Sequence, residues 1–183
     1  MSALATEQNH FYWNIKAMKT DSNSDFSSIK PIGTIHSPYT NLADMPIQPK
    51  GAAETEGRVE IFNEYAGGLA DLEGFSHIYL IYLFHKATRT ELSVIPFMDT
   101  VRRGVYSTRS PLRPNHLGLS LVQMTSVQNN FLNILGVDIL DNTPLIDIKP
   151  YIPAFDHVEN AESGWMNHSE EDVARKKSDH RFI

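Results

Sequence analysis

Apolar and polar residues alternate over several short stretches of this chain. Gly57-Arg58-Val59-Glu60-Ile61-Phe62 places an apolar side chain at every second position, the mark of a strand buried on one face. Ser76 to Phe84 is denser in Ile, Tyr and Leu and reads as a more deeply buried strand. Ile32 to His36 is a shorter one, stopped by Ser37-Pro38. Leu117 to Val127 and Phe131 to Leu140 read as a hairpin across Gln128-Asn129-Asn130, and Pro144 to Ile148 follows the turn Asp141-Asn142-Thr143. Gly104 to Thr108 is a further candidate strand. The spacing turns helical once: Tyr65, Leu69, Leu72 and Phe75 predict one short helix after the second strand. Six or seven short strands separated by Gly, Pro, Asn and Asp predict a mainly β fold. A barrel or sandwich fits that order better than alternating β-α units.

The ends of the chain depart from this pattern. Residues 1–28 read as an extension, because Asp21 to Ser28 is polar with little to bury, and Phe11-Tyr12-Trp13 before it could dock on the domain or a partner. The folded domain is expected over 29–156. The acidic tail 157–183 holds Ser169 to Lys177, where acids precede bases as in a short exposed helix.

Composition then limits the chemistry. The 183 residues allow one domain, and the absence of cysteine excludes a disulfide scaffold, a thiolate metal site and a cysteine nucleophile. The longest apolar run, Ile78 to Phe84, is far short of the roughly 20 residues that span a bilayer. With no secretory signal in view, the cytosol is the expected compartment. Eight histidines are scattered; His77 and His85 would stand about 26 Å apart on one extended strand and cannot share a metal. A net charge of −6 argues against nucleic acid, yet it is unevenly spread. Residues 31–85 are net −5, whereas 86–113 are net +4, with Lys86, Arg89, Arg102, Arg103, Arg109 and Arg113 against Glu91 and Asp99.

Phosphate-binding glycine loops, dinucleotide fingerprints and nucleophile elbows are absent. Three stretches are richer in polar groups than a core requires. Asp44 to Pro49 is a proline-framed turn presenting Gln48. Gly104 to Gly118 sets two arginines, three serine or threonine hydroxyls and an amide in a loop stiffened by prolines. Asp138 to Tyr151 offers Asp141, able to accept from a diol, beside Asn142, able to take a left-handed backbone.

Across these stretches the chain resembles the TsaA-like, TrmO-type tRNA methyltransferases, which use S-adenosylmethionine. The resemblance runs from Ile32 to Asp156 through Ile32 to Tyr39, Leu72 to His77, Phe84-His85, Ser107 to Ser110, Arg113-Pro114-Asn115, Asp141-x-Thr143-Pro144 and Asp147 to Tyr151, in one order. It implies a small single-sheeted β-barrel with a few short helices, a homodimer, and methylation of N6 of N6-threonylcarbamoyladenosine 3′ to the anticodon of a threonine tRNA. The family's cofactor positions fall on Pro46, Ile47, Gln48, His85, Lys86, Arg109, Leu119, Asp141, Asn142, Thr143 and Pro144. Two positions depart from the family pattern: Asn142 stands for a glycine, and His116 for a proline.

The chemistry assigns further roles. Methyl transfer is an in-line displacement for which the protein aligns the groups and excludes water. The target nitrogen must lose a proton, and Asp147, Tyr151 and Asn115 are candidate acceptors. Arg109 is expected on the cofactor, while Arg102, Arg103 and Arg113 are expected on RNA phosphates or the threonyl carboxylate, where a guanidinium binds bidentately. Tyr106 could stack on a base. Two other readings remain open here: the same fold acting on another substrate, and an S-adenosylmethionine-binding module without turnover.

Overall fold

A computed structural model describes residues 29–42, 45, 52–97 and 99–166. The expectations for residues 1–28, for Pro46, Ile47 and Gln48, and for the tail helix at Ser169 to Lys177 lie outside the described residues.

Six strands close into one antiparallel barrel in the order β1 (Gly33–His36), β2 (Glu56–Ile61), β7 (Phe131–Leu135), β6 (Leu117–Gln128), β3 (His77–Leu83) and β8 (Thr143–Pro150). β8 pairs back onto β1, so the sheet has no free edge to protect. A separate ribbon joins β4 (Ser93–Val94) to β5 (Arg103–Gly104), and α1 (Pro153–Asp156) follows β8. Among the described residues, no helix is long and apolar enough to cross a membrane.

The alternation in the sequence sets which face is inside. On β3, Ile78, Leu80 and Tyr82 point in; on β6, Gly118, Ser120, Val122 and Met124 do. With Ile35, Val59, Ile61, Leu132, Ile134 and Leu145 they form the core, and each large apolar side chain contributes about 1.5–3 kcal/mol by leaving water. Gly33 allows β1 to approach β2, since a Cβ there would overlap the backbone of Glu60.

Three elements differ from the expectation, each for a local reason. The helix expected over Tyr65 to Phe75 is two 3-10 segments, Asn63–Leu69 and Leu72–Gly74, interrupted at Asp71 with φ 64°. Gly67 and Gly68 make a continuous α-helix entropically costly, and Leu69 and Leu72 reach the core without one. The strand expected over Gly104 to Thr108 pairs only at its first residue and then turns into a 3-10 segment, Val105–Ser107. There the Ser107 and Thr108 hydroxyls donate to the carbonyls of Gly104 and Val105, both at 2.8 Å, competing with a ladder. The strand expected to reach Leu140 stops at Leu135, because Gly136 takes φ 84°. Val137, Ile139 and Leu140 stay buried as a plug across one end of the barrel. The hairpin turn is as expected, with Asn129 at φ 55° between β6 and β7.

Candidate functional site at the plugged end of the barrel

The antiparallel pairings bring the ends of β1 and β3, the starts of β6 and β8, and the 136–142 plug to one end of the barrel. The turn into β8 is tied down from both sides. The Ser37 backbone N–H donates to Asp141 Oδ1 at 3.1 Å, the Ser37 hydroxyl donates to the Ile139 carbonyl at 2.6 Å, and the Asp141 N–H donates to the Tyr39 carbonyl at 2.8 Å. His36 Nδ1 lies 3.5 Å from the same Asp141 oxygen, so Oδ1 is committed to the fold. Asp141 Oδ2 accepts only from the neighbouring Asn142 amide among the described residues, at 2.7 Å. Asn142 sits at φ 59°, the left-handed backbone a glycine would take, so the turn keeps its shape.

Thr143 connects this turn to His85. The buried Thr143 hydroxyl donates to the Leu140 carbonyl at 2.6 Å and lies 3.3 Å from His85 Nδ1. Its single proton is spent on Leu140, so Nδ1 carries the ring proton and Nε2 keeps a lone pair. Burial, then the charge of Lys86, lower the His85 pKa and favour the neutral ring. The end therefore offers a fixed acceptor beside an exposed ammonium. Thr143→Val is expected to cost roughly 1–3 kcal/mol by leaving the Leu140 carbonyl unpaired. In an NMR titration it should also release the His85 tautomer; an unchanged ring nitrogen pattern would refute the link.

Residues 84–116 form an arm that leaves β3 and returns to β6 at this end. Its two acids are taken up by three arginines. Arg89 Nε lies 2.9 Å from Glu91, Arg102 reaches Glu91 at 3.6 Å and also Ser93, and Arg103 Nε lies 2.7 Å from Asp99. Bonds from the Val101 N–H and then Arg103 hold the Asp99 carboxyl below its ordinary range. Arg103 also stacks on Trp165, 5.4 Å from the ring centre, while Trp165 Nε1 donates to the Ser107 carbonyl at 2.8 Å. Arg103 thus has structural partners in place. Trp165→Ala is expected to loosen the Val105–Thr108 turn by roughly 1–2 kcal/mol. That is about tenfold faster amide exchange at Thr108; exchange unchanged there would show that Trp165 holds nothing.

The arm closes through Ser110, whose hydroxyl accepts from the Leu112 N–H at 3.2 Å, and through His116. His116 takes φ 48°, which proline cannot adopt, and its Nδ1 lies 2.8 Å from the Pro111 carbonyl. The departure from proline is therefore built into this loop's path. Arg113 donates to the Thr108 carbonyl at 3.4 Å, and Asn115 is exposed. Tyr106, 75 % exposed, lies on a 3-10 turn and not in the core.

The candidate acceptors do not gather at one point. Asp147 lies on the outer face of β8, level with Ile81 of β3 and Leu119 of β6, and forms an ion pair with Lys149 at 3.0 Å. Leu119, half exposed, shares that outer row, while Pro144 enters β8 opposite Thr34. Tyr151 sits at the other end of β8, its ring edge-on to Tyr79 and His77. Eight residues of strand place it about 26 Å along from Thr143.

A polar chain inside the barrel was not foreseen. Tyr82 Oη lies 3.1 Å from Ser120 Oγ, which donates to Asp138 Oδ1 at 2.7 Å. Burial pushes the Asp138 carboxyl up to about 6, against the opposing pull of the Ser120 bond, of its own backbone N–H and of the Arg109 charge. Burial also drives the Tyr82 phenol far above its ordinary range. The signal was present in the alternation: Tyr82 and Ser120 occupy inward positions of otherwise apolar strands.

A family model described as the tRNA-methyltransferase O N-terminal domain matches residues 34–157. The chain belongs to this family. Within the tRNA-methyltransferase O family it is similar to a probable S-adenosyl-L-methionine-binding protein of Pyrococcus abyssi, 48% identical over 84% of each chain. It is 34% identical to the tRNA (adenine(37)-N6)-methyltransferase of Rattus norvegicus, over 76% of this chain and 34% of that enzyme. The crystal structure of TrmO from Pseudomonas aeruginosa superposes with a TM-score of 0.64 at 35% identity, covering 75% of this chain and 62% of that one. The chain thus spans only part of the length of these two enzymes.

Proposed function

We propose that the chain is an S-adenosylmethionine-dependent tRNA methyltransferase that methylates N6 of N6-threonylcarbamoyladenosine 3′ to the anticodon of threonine tRNA, acting as a homodimer. The observation that carries the reading is the pre-set turn at Asp141–Pro144, joined to a neutral His85 at the end of the barrel where the cationic arm returns. The donor set fits S-adenosylmethionine: Asp141 Oδ2 suits the ribose diol, Arg109 and Lys86 suit the methionine carboxylate, and Leu119 offers an apolar wall. Once bound, that group would supply an activated methyl. Positively charged Arg113 and the arm's excess over the acidic remainder give a local seat for RNA phosphate.

The test is incubation with labelled S-adenosylmethionine and total tRNA, followed by digestion to nucleosides. Label in the N6-methylated threonylcarbamoyl nucleoside is the expected result. Label in another nucleoside would keep the transferase and change the substrate. Calorimetric binding without any product would favour a binding module, and no binding at all would overturn the reading.

A further inference from the structure

We propose that Asp138 is the catalytic residue that accepts the proton leaving the substrate nitrogen during methyl transfer. The inference rests on the transferase reading above and adds a further acceptor to Asp147, Tyr151 and Asn115.

Placement is the first argument. Asp138 lies in the plug, three residues before the Asp141 turn, and its side chain meets Ser120, the residue following Leu119 on β6. Arg109 acts on it electrostatically from the arm. Asp138 therefore lies at the plugged end between the Asp141 turn and the inner face of β6, across the sheet from the Leu119 side chain. Its Oδ1 is fixed by Ser120, while Oδ2 meets no side-chain donor among the described residues. One oxygen is anchored, which leaves Oδ2 as the proton acceptor in this proposal.

Chemistry is the second. The carbamoyl-bearing N6 becomes a competent nucleophile as its proton departs. The sulfur–methyl bond breaks while the N6–methyl bond forms, and the N6 proton passes to the Asp138 carboxylate. The products are a thioether, the methylated nucleoside and a protonated Asp138, which returns its proton to solvent. A carboxylate raised by burial accepts a proton more readily than an exposed one and is still ionised at neutral pH. The titratable and charged groups that bear on it are Tyr82, through Ser120, and Arg109.

Three variants test this. Asp138→Asn keeps the shape and the acceptor for Ser120, so S-adenosylmethionine binding by calorimetry should stay within about threefold, while kcat falls by roughly 100-fold or more. The wild-type rate should rise with pH through an inflection near 6 that Asp138→Asn lacks. Ser120→Ala removes a bond that favours the carboxylate, so the inflection should move to higher pH. A carboxyl carbon NMR titration of the unliganded protein should show Asp138 moving the same way in that variant. Asp147→Asn should keep the wild-type inflection. An Asp138→Asn protein as active as wild type, or an inflection unmoved by Ser120→Ala, would overturn the proposal with the transferase reading intact. A wild-type protein that binds S-adenosylmethionine but methylates no nucleoside would fail the transferase reading itself.

Discussion

Gly118→Ala is expected to destabilise the barrel by on the order of 3 kcal/mol, one of the largest effects available to a single methyl group here. The argument starts from parity. Gly118 points inward at the start of β6, directly opposite Tyr82 of β3. A Cβ at Gly118 would overlap three atoms of the Tyr82 ring. The ring has no room to yield, because Phe84 packs edge-on against it at 5.3 Å and its hydroxyl is held by Ser120. Either β6 moves away from β3 or Tyr82 leaves its rotamer, and both break the chain that ends at Asp138. Urea unfolding should show a lowered midpoint with an unchanged slope. Gly104→Ala is the control, since Gly104 has φ −60° and open space around it. It should change stability by no more than about 0.5 kcal/mol. Equal stabilities for the two variants would refute the account of β3 and β6.

The same parity explains what could be read along the chain and what could not. A period of two fixes which side chains face the barrel, so β2, β3, β6 and the hairpin turn were legible from local sequence. Where a strand ends is a different matter. Val137, Ile139 and Leu140 are apolar and buried like strand residues, but they bury themselves as a plug. Apolar content records burial, and only the positive φ at Gly136 marks the change of direction. The turn residues Asp141 to Thr143 were legible because left-handed backbone and a capping carboxylate demand particular side chains. Arg102 and Arg103 were read as cations seeking phosphate; Asp99 meets Arg103 from only four residues away, while Glu91, Ser93 and Trp165 engage the pair across longer separations. Asp138 was overlooked for a related reason: its partner Ser120 lies 18 residues away, and only the pairing of β3 with β6 brings Tyr82 to Ser120.

Asp138→Asn is expected to make the folded protein more stable at neutral pH, by up to about 3 kcal/mol, while removing activity. The sign follows from linkage. In the barrel the carboxyl titrates near 6, whereas an unperturbed aspartate titrates at 3.8. Between those values the unfolded chain has already released its proton and the folded chain has not, so folding stability falls as pH rises through this window. Above about 6 both states are ionised and the full cost of a buried charge is present. Asparagine keeps the bond from Ser120 and carries no charge, so it escapes that cost. The difference between variant and wild type should be small near pH 4, grow through pH 5 and 6, and level off by pH 7. Denaturant unfolding at each pH measures it directly. Parallel curves for the two proteins would mean that the carboxyl is not held in a disfavoured state. A residue that weakens the fold when ionised is one that packing alone would replace with asparagine. If Asp138 takes up the substrate proton as proposed, that cost has a use, because the free energy spent on keeping the carboxylate basic is the free energy available for taking up a proton.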